Sequence, residues 1–191
     1  RPAHRLAIVA TVPFALRVFM RPHLEAVASC YSVTAFCAGD AGQIMDGLPP
    51  AVGFCSIPIR RKISLFSDAH ALWRLVALFF RGNYDLVHSI TPKAGLLAMC
   101  AAYLCRVSFR VHVFTGQVWV TKVGLSRCLL KTIDRLIAAM ATHVLADSHS
   151  QRQFLVDEGV VPAEKIRVLA DGSICGVDQQ RFRPNERVRF A

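Results

Sequence analysis

The chain has 191 residues, with 23 Lys and Arg against 13 Asp and Glu, a formal net charge of +10, and 53% hydrophobic residues. That length suits one α/β domain, and the apolar content excludes a disordered polymer. Only 11 glycines and 9 prolines are present, which excludes collagen-like and low-complexity classes. Cysteines at 30, 37, 55, 100, 105, 128 and 175 are odd in number and form no C-x-x-C pair. Reduced thiols in a cytosolic protein are therefore expected, not a zinc centre.

In chain order, short β-branched apolar runs alternate with longer helical patterns. The strands predicted are Arg5–Thr11, Tyr31–Cys37, Val52–Ile57, Tyr84–Ile90, Phe109–Phe114, His143–Asp147 and Lys165–Leu169. The helices predicted are Ala15–Ser29, Leu65–Arg81, Lys93–Arg106, Leu125–Thr142 and Ser148–Glu158. Gly82-Asn83 and Gly159 are read as helix stops, and Asp147-Ser148 as a helix start. Gly39–Gly42 and Gly47–Pro50 are read as loops. Strand and helix alternating in this way predict an α/β fold: a Rossmann-like parallel sheet of about seven strands with helices on both faces. Residues 1–176 are taken as the domain, and the polar stretch 177–191 as a linker. The chain opens on Arg1, so a trimmed start is expected. No signal peptide is expected. Its apolar runs Leu72–Phe80 and Ala94–Cys105 fall short of the roughly 18–20 residues that span a bilayer.

Charge is unevenly placed. Between Leu86 and Ile133 stand Lys93, Arg106, Arg110, Lys122, Arg127 and Lys131, with no acid. A single-sign surface attracts polyanions such as nucleic acid, anionic lipid head groups or phosphorylated substrates.

Ligands of open parallel sheets bind beyond the carboxyl ends of the strands. That rule selects Val12 and Pro13; Arg60, Arg61 and Lys62; Thr91 and Lys93; Thr115, Gly116 and Gln117; Asp147 and Ser148; and Gly172 and Ser173. The set is rich in cations and hydroxyls, which suit phosphate and sugar oxygens. The Thr91-Pro92-Lys93 start of a helix offers free N–H groups to an anion, or serves only as a first turn shaped by Pro92. No G-x-G-x-x-G follows the first strand and no P-loop is present, so both dinucleotide and P-loop readings fail at their diagnostic turn. His88, His112 and His143 fall inside predicted strands, where a core imidazole is the plainer role. No nucleophile motif of the hydrolases is visible.

Four segments in order resemble family 4 glycosyltransferases. Asp85–Leu97 (DLVHSITPKAGLL) is similar to that family's D-x-V-H-x-H-x-P-K-A-G stretch. His112–Trp119 (HVFTGQVW), Val144–Ser150 (VLADSHS) and the GSICGVDQQRF ending at Phe182, which resembles N-G-V-D-x-x-R-F, follow at the family's spacing. The resemblance implies a GT-B architecture of two Rossmann-like domains, of which this chain is the N-terminal, acceptor-binding half. It implies that the intact protein transfers a sugar with retention from a nucleotide-sugar donor to an anionic lipid-linked or lipopolysaccharide acceptor. No cofactor or metal is implied, and the fragment alone is expected to be inactive. Acceptor contacts are expected from Arg60, Arg61, Lys62, Thr91, Lys93, Thr115, Gly116 and Gln117. Val12, Pro13, Asp147, Ser148, Gly172 and Ser173 are expected on the donor side of the cleft.

Departures from the family pattern are Val12-Pro13-Phe14 for its glycine-rich first loop, Ile90 for the second His, and Thr115 for a His after the fifth strand. No catalytic residue is assigned. A cytoplasmic protein peripheral to the inner face of the cytoplasmic membrane is expected, with the helix Leu65–Arg81 a candidate surface segment. A stand-alone sugar- or nucleotide-binding module is the alternative. Nucleic-acid binding is not expected, because no RRM-like or helix-turn-helix motif is present.

Overall fold

The computed structural model describes residues 4–60 and 62–176; Arg61 and the expected linker 177–191 lie outside the described residues. Seven strands form one sheet: β1 (Arg5–Val9), β2 (Ser32–Cys37), β3 (Gly53–Ser56), β4 (Leu86–Ile90), β5 (Phe109–Phe114), β6 (His143–Ala146) and β7 (Ile166–Val168). Their spatial order is β3-β2-β1-β4-β5-β6-β7, and every neighbouring pair is parallel. The order reverses between β1 and β4, and a crevice at such a switch point is where ligands of this topology bind.

Both faces of the sheet are covered, which is why the strands read as nearly unbroken apolar runs. In β1, Leu6 and Ile8 enter the core on one face, while Ala7 and Val9 enter the core on the other. The helices are α1 (Arg21–Val27), α2 (Ala41–Met45), α3 (Leu65–Gly82), α4 (Pro92–Leu104), α5 (Gly124–Met140) and α6 (His149–Asp157). Helix α3 buries Ala71, Leu75 and Phe79 at a four-residue spacing, and Asn83 at φ 45° ends it in the left-handed region. Helix α4 packs between α3 and α5 and buries Ala94, Gly95, Leu97, Ala98, Met99, Ala101 and Ala102. Its all-round apolar sequence is therefore that of a central helix. Among the described residues, no helix is long and apolar enough to cross a membrane.

Two elements differ from the sequence expectation. The segment read as one helix from Ala15 to Ser29 is a five-residue π-helical turn (Ala15–Phe19) followed by α1. Pro22, in the first turn of α1, has no N–H to bond backwards, so the ladder restarts. The segment read as a loop at Gly39–Gly42 passes into α2 at Ala41, with the Ile44 N–H bonded to the Asp40 carbonyl. The start of α6 is as expected: Ser148 Oγ accepts from the Gln151 N–H at 3.1 Å, and Gln151 Oε1 accepts from the Asp147 N–H at 2.7 Å.

Gly95 sets how closely α4 approaches β5. A Cβ there would lie 2.4 Å from His112 Cε1 and 2.9 Å from its Nδ1. The His112 ring is held in turn by Ser89 Oγ at 2.8 Å and by an edge-to-face contact with Phe114. Gly95→Ala is expected to destabilise the protein by about 1–3 kcal/mol through overpacking. The double variant Gly95→Ala/His112→Ala should recover most of that loss relative to His112→Ala alone. Unfolding midpoints of the three variants check this.

Candidate functional site

At the carboxyl edge of the sheet the first feature is a pair of threonines at the switch point. Thr11, just past β1, and Thr91, just past β4, meet through their hydroxyls at 2.7 Å. Thr91 Oγ1 also accepts from the Thr11 N–H at 3.2 Å, and Thr11 Oγ1 accepts from the Ala94 N–H at 3.3 Å. An orphan donor of the first turn of α4 is thereby satisfied within the protein. Thr91 adopts φ 73° and ψ 138°, a costly conformation for a β-branched residue. Where the glycine-rich turn of a dinucleotide fold admits a phosphate, this chain closes the crevice with two hydroxyls.

Lys93 does not stand free at that helix start. Its Nζ lies 2.6 Å from Asp68 Oδ1 and donates to the Lys62 carbonyl at 2.5 Å, with both charged side chains largely buried. The other carboxylate oxygen of Asp68 accepts from the Ser64 N–H at 3.1 Å. Lys93 thus fixes the loop that carries Arg60 and Lys62, both exposed. Other cations of the acid-free stretch are also engaged. Arg127 and Lys131 pair with Glu158 at 3.2 and 2.6 Å. Arg110 donates to the Met140 and Val107 carbonyls. The acid-free stretch is therefore not a single-sign surface, because Asp68 and Glu158 arrive from elsewhere in the chain.

Thr115 and Gly116 are exposed after β5, with Gly116 at φ 153°. Gln117 is half-buried, and its Nε2 reaches no protein partner. The loop is anchored two residues on by Trp119, which is 1% exposed. Its Nε1 donates to Asp134 Oδ2 at 2.7 Å, its ring stacks on Phe154 at 5.4 Å, and Arg127 and Lys131 lie over it. No sequence motif links Trp119 to Asp134, 15 positions on; only the fold brings the two together.

Burial pushes the Asp134 carboxyl up to about 6, against the hydrogen bond from Trp119. A carboxyl raised in the fold binds more protons folded than unfolded, so its contribution to stability falls as pH rises from about 4 to about 6. Asp134→Asn keeps an acceptor for Trp119 and removes the charge. It should therefore stabilise the protein at pH ~7.5 relative to pH ~4.5, by on the order of 1–3 kcal/mol. Unfolding of wild type and variant at the two pH values measures the difference.

Beyond β6 and β7, four of the six residues expected on the donor side come together, Val12 and Pro13 not among them. Asp147, Gly172 and Ser173 line one cavity of about 110 Å³ with His23 and His88. Ser148 caps α6 beside it, while Val12 and Pro13 lie in the bend after β1. His88 and His112 are held neutral by burial, which lowers their pKa values to about 4 and about 3. A larger cavity of about 280 Å³, lined by His4, Asp85 and Ser108, opens near the amino ends of the strands, away from this edge. Among the described residues no group of three His, Cys, Asp or Glu side chains is placed to hold a metal ion.

A seven-stranded parallel sheet in this order, with cations and hydroxyls at its carboxyl edge, defines one Rossmann-like domain. Residues 17–172 match the family model described as a glycosyl transferase 4-like domain, and the chain belongs to that family. It is 31% identical over 126 residues to the capsular polysaccharide biosynthesis glycosyltransferase CapM of Staphylococcus aureus, covering 66% of this chain and 33% of CapM. It is 29% identical over 147 residues to an Escherichia coli UDP-Gal:alpha-D-GlcNAc-diphosphoundecaprenol alpha-1,3-galactosyltransferase, covering 76% of this chain and 37% of that enzyme. The chain thus matches little more than a third of the length of these relatives. Among solved structures, the UDP-N-acetylglucosamine 2-epimerase of Rickettsia bellii superimposes with a TM-score of 0.66 at 13% identity, over 86% of this chain and 44% of that one. The lipopolysaccharide outer core galactosyltransferase WaaB superimposes with a TM-score of 0.61 at 13% identity, with the same coverage. These two similarities concern the fold.

Proposed function

We propose that the full-length protein transfers a sugar, with retention, from a nucleotide-sugar donor to a lipid-linked acceptor at the inner face of the cytoplasmic membrane, and that this domain binds the acceptor. Family membership and the polyprenyl-linked acceptor in the name of the Escherichia coli relative support the reaction class. Metal independence, expected from the resemblance, belongs to the same proposal.

The observation that carries the acceptor role is a pair of apolar lips at the carboxyl edge. Leu65 and Phe66 at the start of α3 are 80% and 93% exposed, with Ile63 beside them. Val123 and Leu125 at the start of α5 are 84% and 90% exposed. Because α4 lies between α3 and α5, helix spacings of 8–10 Å set the lips about 20 Å apart. Lys62 stands beside one lip and Lys122 beside the other, with Thr91 and Lys93 at the helix start between them. An exposed apolar rim around cations suits an anionic membrane surface, where each Lys or Arg contributes about 1 kcal/mol. Phe66, Trp73 and Phe80, seven residues apart, continue the apolar stripe along α3. In this arrangement Arg60 and Lys62 meet the acceptor diphosphate, Lys93 holds their loop in place, and Thr115, Gly116 and Gln117 face the acceptor sugar.

The test uses the full-length protein and vesicles of phosphatidylglycerol, with phosphatidylcholine as control. Leu65→Asp/Phe66→Asp/Leu125→Asp should weaken binding to the anionic vesicles about tenfold or more, since two or three anchoring side chains are lost. It should also raise KM for a polyprenyl-diphosphate-linked sugar and leave KM for the donor unchanged. Arg60→Glu/Lys62→Glu should act in the same direction. Unaltered vesicle binding and acceptor KM in both variants overturn the acceptor role.

A further inference from the structure

The cavity of about 110 Å³ beyond β5, β6 and β7 is small, but its walls are built with care for polar groups. The residues Gly172–Ile174 are bolted onto Asp147. The Ser173 N–H donates to the Asp147 carbonyl at 2.6 Å, and the Ile174 N–H donates to the Asp147 carboxylate. From the other side His23 Nε2 donates to the Ile174 carbonyl. The fit is tight enough that a Cβ on Gly172 would lie 2.4 Å from the Asp147 oxygen. The chain reaches it through positive φ at Ala170 (48°), Gly172 (97°) and Ser173 (64°). Two of those three are non-glycine residues, and conformations this unfavourable persist where surrounding structure enforces them.

Within that frame two buried polar atoms find no partner in the protein: His88 Nε2 and Asp147 Oδ1. Each unsatisfied buried polar atom costs on the order of 1–3 kcal/mol, so two on side chains that line one small cavity require an account. Their chemistry restricts the ligand. Burial keeps the His88 imidazole neutral and raises the Asp147 carboxyl, while no Lys or Arg lines the cavity. A phosphate would meet a carboxylate with no lysine or arginine beside it. A hydroxyl suits both atoms, because it donates to the carboxylate and can donate to or accept from either imidazole tautomer. Val113, Leu145, Leu169 and Ile174 supply the apolar remainder of the wall, against which the C–H edge of a sugar ring can pack.

We propose that this cavity is a subsite for one edge of an uncharged pyranose ring, with His88 Nε2 and Asp147 Oδ1 each hydrogen-bonding a ring hydroxyl. The inference rests on the transferase reading above and extends it to a named sugar-binding pair. The ring belongs either to the acceptor or to the sugar half of the donor, and the experiment separates the two.

In the full-length protein, saturation-transfer NMR with methyl α-glucoside, methyl α-galactoside and methyl N-acetyl-α-glucosaminide reads binding without turnover. At least one glycoside should give a signal on the wild type, and His88→Ala, Asp147→Asn and the cavity-filling Leu145→Phe should each abolish it. His88→Gln keeps a polar head in place and should retain part of the signal. In turnover assays, His88→Ala and Asp147→Asn should raise one KM about tenfold, the effect of losing one good hydrogen bond, with kcat changed less than about threefold. A rise in acceptor KM assigns the ring to the acceptor, and a rise in donor KM assigns it to the donor. The proposal is overturned if no glycoside gives a signal on the wild type. It is equally overturned if the signal and both KM values survive in His88→Ala and Leu145→Phe. Failure of the full-length protein to transfer any sugar would count against the transferase reading instead, and the glycoside signal would still decide the subsite.

Discussion

Helix α4 sits so close to β5 that one methyl group at Gly95 would strike the His112 ring, and that approach governs the rest of the carboxyl edge. Small residues at 94, 98, 101 and 102 let the helix lie against the sheet and against both neighbouring helices. Its start then falls where Thr11 can cap Ala94 and clasp Thr91. From the same start Lys93 reaches Asp68 and the Lys62 carbonyl, which ties the loop after β3 to the centre of the sheet. A bulkier residue at 95 would tilt the helix, and the clasp, the ion pair and the basic loop would shift together. The buried histidine is compatible with this only because it is neutral. Ser89 satisfies one ring nitrogen and Phe114 packs against the ring, so no charge is carried into the core.

The cations divide into two groups with different work. Lys93, Arg110, Arg127 and Lys131 are spent inside the fold on carboxylates or carbonyls. Arg60, Lys62 and Lys122 remain exposed at the carboxyl edge. Net charge overstates how much positive surface a partner meets, because pairing is decided in three dimensions. At that edge the cations stand beside exposed apolar side chains, Ile63 and Leu65 near Lys62 and Val123 next to Lys122.

The fold was largely legible because each strand is buried on both faces and each long helix carries a regular apolar stripe. All seven strands lie within the predicted spans, and α3, α4, α5 and α6 agree with the prediction to within about two residues at each end. The exceptions are short-range chemistry. The restart at Pro22 interrupts a pattern that is apolar on both sides, and α2 is a five-residue helix that begins among glycines normally read as a loop. The carboxyl edge was legible too, since the rule for parallel sheets points to it without coordinates. What each residue does there was not. Lys93 reads as a free phosphate ligand until Asp68, 25 positions earlier, is seen beside it. His88 reads as a core imidazole, yet in the fold it is half-buried, it lines a cavity, and its Nε2 has no partner in the protein.

These misreadings have one origin. Hydrophobic periodicity is a property of neighbours in sequence, whereas a site is made of pairs distant in sequence: Thr11 with Thr91, Asp147 with Ser173, His23 with Ile174. Each pair joins segments that follow different strands of the sheet, so all of them depend on strand order. The reversal between β1 and β4 sends the chain away from the switch point on both sides and leaves a crevice there. In this domain the threonine clasp fills that crevice. The polar atoms without partners lie elsewhere, at Gln117 beyond β5 and at Asp147 and His88 around the neighbouring cavity. His88 belongs to β4, so that cavity opens from the switch point towards β5, β6 and β7. At the end of β1 the chain has Val12-Pro13-Phe14 where a dinucleotide fold has glycines, so it lacks the glycine turn that brings backbone N–H groups against a phosphate.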